Sequence, residues 1–170
     1  MAGTGAGGFC DRWFLQANGR MVVRCVEHLN YHTQRNLQSL WTDYKEEFDI
    51  SDDLTTTVYH FGFSEEGGIR SFAYRSTNDF CPEEIPYGIA VKPRCEVPED
   101  YQLPDVLLGL MLAQRNIQAE EPEEERVYIG GQIQVHHLTR AGITIHTQAD
   151  FPDFDSDEEE IYRNFNAQSS

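Results

Sequence analysis

Three groups of residues in this chain have types and spacings that could do chemistry. Thr55, Thr56 and Thr57 stand together. A threonine exposed as a new N-terminus becomes a nucleophile, because its free α-amine can act as base for the adjacent hydroxyl. His136, His137 and His146 flank the turn Arg140-Ala141-Gly142. A three-residue loop there opposes His136 with His146 and a two-residue loop opposes His137 with His146, so two imidazoles would come within reach of one metal. Finally, the opening "MAGTGAGGFCD" runs a glycine pair into aromatic sequence, the kind of turn in which backbone approaches a ligand.

Each group also has a plainer reading. Three threonines before Val58 and Tyr59 make a strand of high β-propensity. The histidine pair has no evident third ligand, and His60 belongs to another hairpin, so these are read as cross-strand or surface side chains. Cys10, Cys25, Cys81 and Cys95 are widely spaced with no CxxC, which argues against structural zinc. We therefore expect no metal and no cofactor.

Composition narrows the partners. The 170 residues include 29 acidic and 13 basic side chains, for a net charge of −16. Such a chain repels phosphate backbones, so nucleic acid is not expected to bind. No stretch reaches the length of a spanning helix, and the N-terminus lacks a basic-then-apolar leader. No membrane partner and a cytoplasmic location are the expectation. The runs "EEPEEE" and "DFDSDEEE" read as solvated charge, with Ser156 in an acidic phosphorylation context.

The elements that would position these residues follow from periodicity. Trp13, Ala17, Met21, Cys25 and Leu29 recur every four positions, a helical stripe from Phe9 to about Leu29 that Asn18-Gly19 weakens. Leu37, Leu40, Trp41, Tyr44 and Phe48 mark a second helix. "TTTVYHFGF", "SEEGG" and "IRSFAYRS" form a β-hairpin with its turn. A proline-rich stretch follows, in which "YGIAV" is the best strand candidate. Pro104 is placed in the first turn of a third helix carrying Leu107, Leu110 and Ile117. "RVYIGGQIQVHHLT" and "ITIHTQA" make the last hairpin. No strand is expected before the glycine-rich turn. The expected core includes Trp13, Cys25, Leu40, Trp41, Val58, Phe61, Phe72, Leu107, Leu110, Ile133 and Val135. Helices and strands in separate blocks indicate α+β with antiparallel sheets, in one domain over residues 1–150 and an acidic tail over 151–170.

That order, with three landmarks, resembles the proteasome β-subunit branch of the N-terminal-nucleophile (Ntn) hydrolases. The landmarks are "GTGAGGFCD", the hairpin "LTTTVYHFGFSEEGGIRSFAYRSTNDF", and "YIGGQIQVHHLTRAGITIHT". The resemblance implies an αββα sandwich, antiparallel sheets between helical layers, here N-terminally incomplete. It also implies that the backbone N–H of Gly7 is a candidate oxyanion-hole donor. The family's nucleophile-bearing strands have no counterpart, and Arg126 and Ile129 stand where the family uses aspartate and serine. The expected function is thus a structural or assembly subunit, inactive alone. The alternative is a companion or fragment of a threonine-type peptidase or amidohydrolase. A homo-oligomer, or a partner subunit that supplies the missing strands, is expected in either case.

Overall fold

The computed structural model describes residues 1–123 and 125–156. The fold is α+β, its sheets antiparallel, and it divides into two units, Met1–Gly88 and Ile89–Ser170.

The first unit is a four-stranded sheet with two helices. Strand β1 (Ala2–Gly5) leads through the glycine-rich turn into α1 (Phe9–Arg20) and α2 (Val26–Phe48). Strands β2 (Thr56–Phe63), β3 (Ile69–Arg75) and β4 (Pro82–Glu84) complete the sheet in the order β1-β2-β3-β4. The expected central hairpin is present, with Val58 opposite Tyr74 and His60 opposite Phe72. Ser64 and Gly68 close its turn, the Ser64 N–H donating to the Gly68 carbonyl at 2.8 Å.

Several expectations are corrected. A strand does precede the glycine-rich turn, because Ala2–Gly5 is itself β1, paired with Thr56–Tyr59. The helical stripe to Leu29 is two helices. The first stops at Arg20, and the second begins at Val26, where Cys25 takes an extended backbone and its Sγ accepts from the His28 N–H. Such an extended residue is the normal geometry of a helix N-cap. "YGIAV" forms no strand; Pro82–Glu84 does instead. Proline fits there because β4 is an edge strand, which needs no second row of hydrogen bonds. Arg75 and Arg70 hold its two glutamates, Arg75 Nε donating to Glu83 at 3.1 Å.

The core of this unit forms between the helices and one face of the sheet. Phe9, Trp13, Leu37, Val58 and Tyr74 are fully buried there. Phe9 contacts the rings of Trp41, Tyr44 and Phe80, the first two edge-on at 4.9 and 5.4 Å. Phe61 is not core, being 48% exposed, because strand alternation turns it to the face opposite the helices. Cys25 and Trp41 are only partly buried.

The second unit contains α3 (Leu107–Glu120) and the hairpin β5 (Gln132–Thr139) and β6 (Gly142–Asp150). Pro104 lies ahead of α3 rather than in its first turn, since residues 102–107 form turns closed by Val106 N–H to Gln102 O and Leu107 N–H to Pro104 O. Leu110 and Ile133 are buried as expected, whereas Leu107 and Val135 are partly so. The last hairpin begins at Gln132, later than expected. Arg115 forks onto the carboxylate of Asp153 and lies over the ring of Phe151. The acidic tail from residue 157 and residue 124 of the "EEPEEE" run lie outside the described residues. No helix among the described residues is long and apolar enough to cross a membrane.

Candidate functional site

The glycine-rich turn lines a pocket of about 290 Å³ formed by residues 1–8 with Cys10 and Asp11. Its shape depends on close backbone approach. A Cβ on Gly3 would lie 2.4 Å from the Cys10 Cβ and 2.7 Å from its Sγ, so only glycine lets β1 sit against the first turn of α1. The Ala6 N–H donates to the Thr55 carbonyl at 3.1 Å, which ties the turn to the start of β2. Tyr44, from α2, donates its hydroxyl to the Gly7 carbonyl. The Ala6 carbonyl, in the same peptide unit as the Gly7 N–H, accepts from the Phe9 N–H at 3.4 Å, so both peptide units that flank Gly7 are held. The Gly7 N–H has no acceptor among the described residues.

A fixed, unsatisfied N–H at a pocket wall can stabilise developing negative charge on an oxygen. A nucleophile is the missing half. Cys10 is the thiol in the pocket lining, but burial pushes it up. The N-terminal ammonium pulls it back down, and Asp11 raises it further. A protonated thiol is a poor nucleophile, and among the described residues no histidine or carboxylate is hydrogen-bonded to it.

The other sequence candidates are scattered. Thr55 is exposed ahead of β2, while Thr56 and Thr57 are buried within it. The Thr56 hydroxyl donates to the Thr4 carbonyl at 3.3 Å, a strand-pairing role. Arg126 bonds the carbonyls of Ala119 and Glu121 and so caps the end of α3. Ile129 lies outside any strand. The expected opposition of two histidines is corrected. The loop is Arg140-Ala141, with Gly142 already paired to Thr139, so neither expected register holds: His146 faces Val135, His136 faces Ile145 and His137 faces Thr144. Ser156 donates to the Asp153 carbonyl at 2.8 Å.

Two features were not anticipated. One is an open cleft of about 990 Å³ lined by residues including Arg24, Glu27, His28, Glu65, Arg70 and Glu84. Arg70 forks onto Glu84 at 2.8 and 2.6 Å and reaches Glu27 at 3.3 Å. The guanidinium holds the Glu84 carboxyl below its usual range. Glu27 is lowered as well: burial opposes its charge, but its own backbone N–H, Cys25 and Arg70 outweigh that. These three side chains come from α2, β3 and β4, and no local sequence pattern links them.

The second is His60, which is almost fully buried between Trp13 and Tyr74, their rings 6.0 and 4.8 Å from its own. Burial, followed by the N-terminal ammonium, drives its imidazole down to about 3. It is therefore neutral, and its buried Nδ1 has no hydrogen-bond partner among the described residues. Alternation in "VYHF" places His60 on the same face as Val58, a signal that could have located it.

No family model matches this chain, and no curated protein or solved structure matches it either.

Proposed function

We propose that this chain is a proteasome-like, Ntn-hydrolase-fold protein that does not cleave peptides alone and serves as a structural or assembly subunit. The observation that carries the reading is an exposed apolar patch on the first sheet's face away from the helices. Helices α1 and α2 bury Val58, His60, Phe72 and Tyr74, while Phe61 and Ile69, on the opposite face, are 48% and 60% exposed. Thr57 and Ala73 on that second face are buried, so the exposed apolar surface is a patch at its Phe61–Ile69 end, and such patches mark association surfaces. The unactivated thiol of Cys10 supports the non-catalytic part. The free Gly7 N–H favours the second reading, a companion to a threonine-type peptidase or amidohydrolase whose nucleophile is on another chain.

Incubation of the purified chain with fluorogenic peptides tests the reading, with no turnover expected. Steady turnover abolished by a threonine-directed covalent inhibitor would overturn it. Light scattering at several concentrations tests assembly, and a monodisperse monomer throughout would remove the subunit role.

A further inference from the structure

The last hairpin is poorly finished as an isolated element. Two strands alone are marginal in water and need a third strand or a packed face. Among the described residues β6 is backbone-paired with β5 only, which leaves its outer row of N–H and C=O groups open. Its positions from Gly142 to Thr147 are all exposed, and Ile143 and Ile145, on one face, are 62% and 60% exposed. Natural sheets guard such edges with charges, proline or a covering segment. This one has none of the first two: Gly142–Ala149 contains no lysine, arginine, carboxylate or proline.

Charge then restricts what can cover it. Copies of a chain with a net charge of −16 repel each other over most of their surface. From Arg126 to Ala149, however, there is no Asp or Glu, the longest such run in the chain. The β6 edge is where two copies can approach without opposing carboxylates. It is also self-complementary. If two β6 strands run antiparallel about a two-fold axis through Thr144, Ile143 of each copy stands opposite Ile145 of the other. Four β-branched side chains then meet on one face, and Thr144 meets its own counterpart. A closed dimer needs such an isologous, self-matching contact.

We infer that this chain forms a two-fold dimer by antiparallel pairing of β6 with β6 of a second copy, which joins the two hairpins into one four-stranded sheet. The inference deepens the proposed subunit role and rests on it, and it names the surface used.

Two measurements on the full chain test it. Sedimentation equilibrium should show a dimer whose dissociation constant rises at least about tenfold in Ile145→Lys, where like charges enter the paired strands. Mild oxidation of Thr144→Cys should yield a dimer linked through position 144, identified by mass spectrometry of the linked peptide, while Thr147→Cys gives little. The cross-link arm holds even if the lysine variant fails to fold. An oligomer unchanged by Ile145→Lys and without a link at 144 overturns the β6 contact but leaves the assembly role intact. A dimer linked at another register, or pairing found only with a different protein, also overturns it. A wild-type monomer at every concentration overturns both.

Discussion

Trp13 donates its indole N–H to Nε2 of His60 across 2.8 Å, inside the core between α1 and the sheet. A neutral imidazole can accept that bond and an imidazolium cannot. The folded value of about 3 lies below the ordinary 6.5, so the unfolded chain binds the extra proton first. The stability is fully present above about pH 6.5 and is lost as pH falls towards 3, at most about 1.4 kcal/mol per pH unit. Urea midpoints measured from pH 7 to 4 should fall steeply for the wild type. His60→Gln, which keeps an acceptor for Trp13, should flatten the curve. Equal slopes in both proteins would mean that the surface carboxylates, whose lowered values act in the same direction, dominate.

Core and open-face residues should respond differently to truncation. Leu37, on the inward face of α2, is fully buried, and Leu37→Ala should cost about 2–5 kcal/mol. Phe61→Ala, on the uncovered face, should cost less than about 1 kcal/mol in the monomer. Denaturant unfolding of the two variants at low protein concentration checks the contrast.

The glycines of the first turn are not equivalent. Gly5 has φ of 98°, and a Cβ there would meet the Thr55 carbonyl oxygen at 2.1 Å. Gly5→Ala should therefore destabilise by about 1–3 kcal/mol. At Gly7 nothing lies within 4 Å, and Gly7→Ala should be close to neutral. Thermal melts of the two variants side by side decide this.

Arg70 should control the edge strand more than the global fold. Arg70→Ala releases Glu84 and Glu27 together. The amides of β4 should then exchange with solvent about tenfold faster, while those of β2 change little. Arg70→Lys should rescue this only partly, because an ammonium cannot make the two-pronged contact. Uniform acceleration across the sheet would show that the cluster supports the whole unit.

The sequence made the parts with a strong local signal legible. The β-branched and aromatic run of "TTTVYHF" announced its hairpin, and the fourfold spacing of Trp13 and Ala17 announced α1. Strand β1 was invisible because Ala-Gly-Thr-Gly has little strand preference of its own and is held by residues far along the chain. Strand β4 escaped for a similar reason: Pro-Glu-Glu is a poor strand sequence, and two arginines on β3 hold it in place. Of the candidate site, Gly7 was found through its landmark, and the structure places it at a pocket. The Arg70 cluster could not be read, because its members meet only after three elements have packed. The histidine register failed on where the turn lies: Gly142 pairs with Thr139 instead of belonging to the loop, and that placement shifts every cross-strand partner.

The pairing of β1 with β2 also sets an order of events in folding. Residues 6–55, including both long helices, lie between the partners Gly5 and Thr56. Helices α1 and α2 can form from local contacts, whereas β1 must wait for its distant neighbour and for the entropy of closing that long loop. During synthesis β1 leaves the ribosome well before β2, so it is made early and fastened late. Until β2 has emerged, Ala2–Gly5 remain unpaired and open to proteases that the finished sheet would exclude.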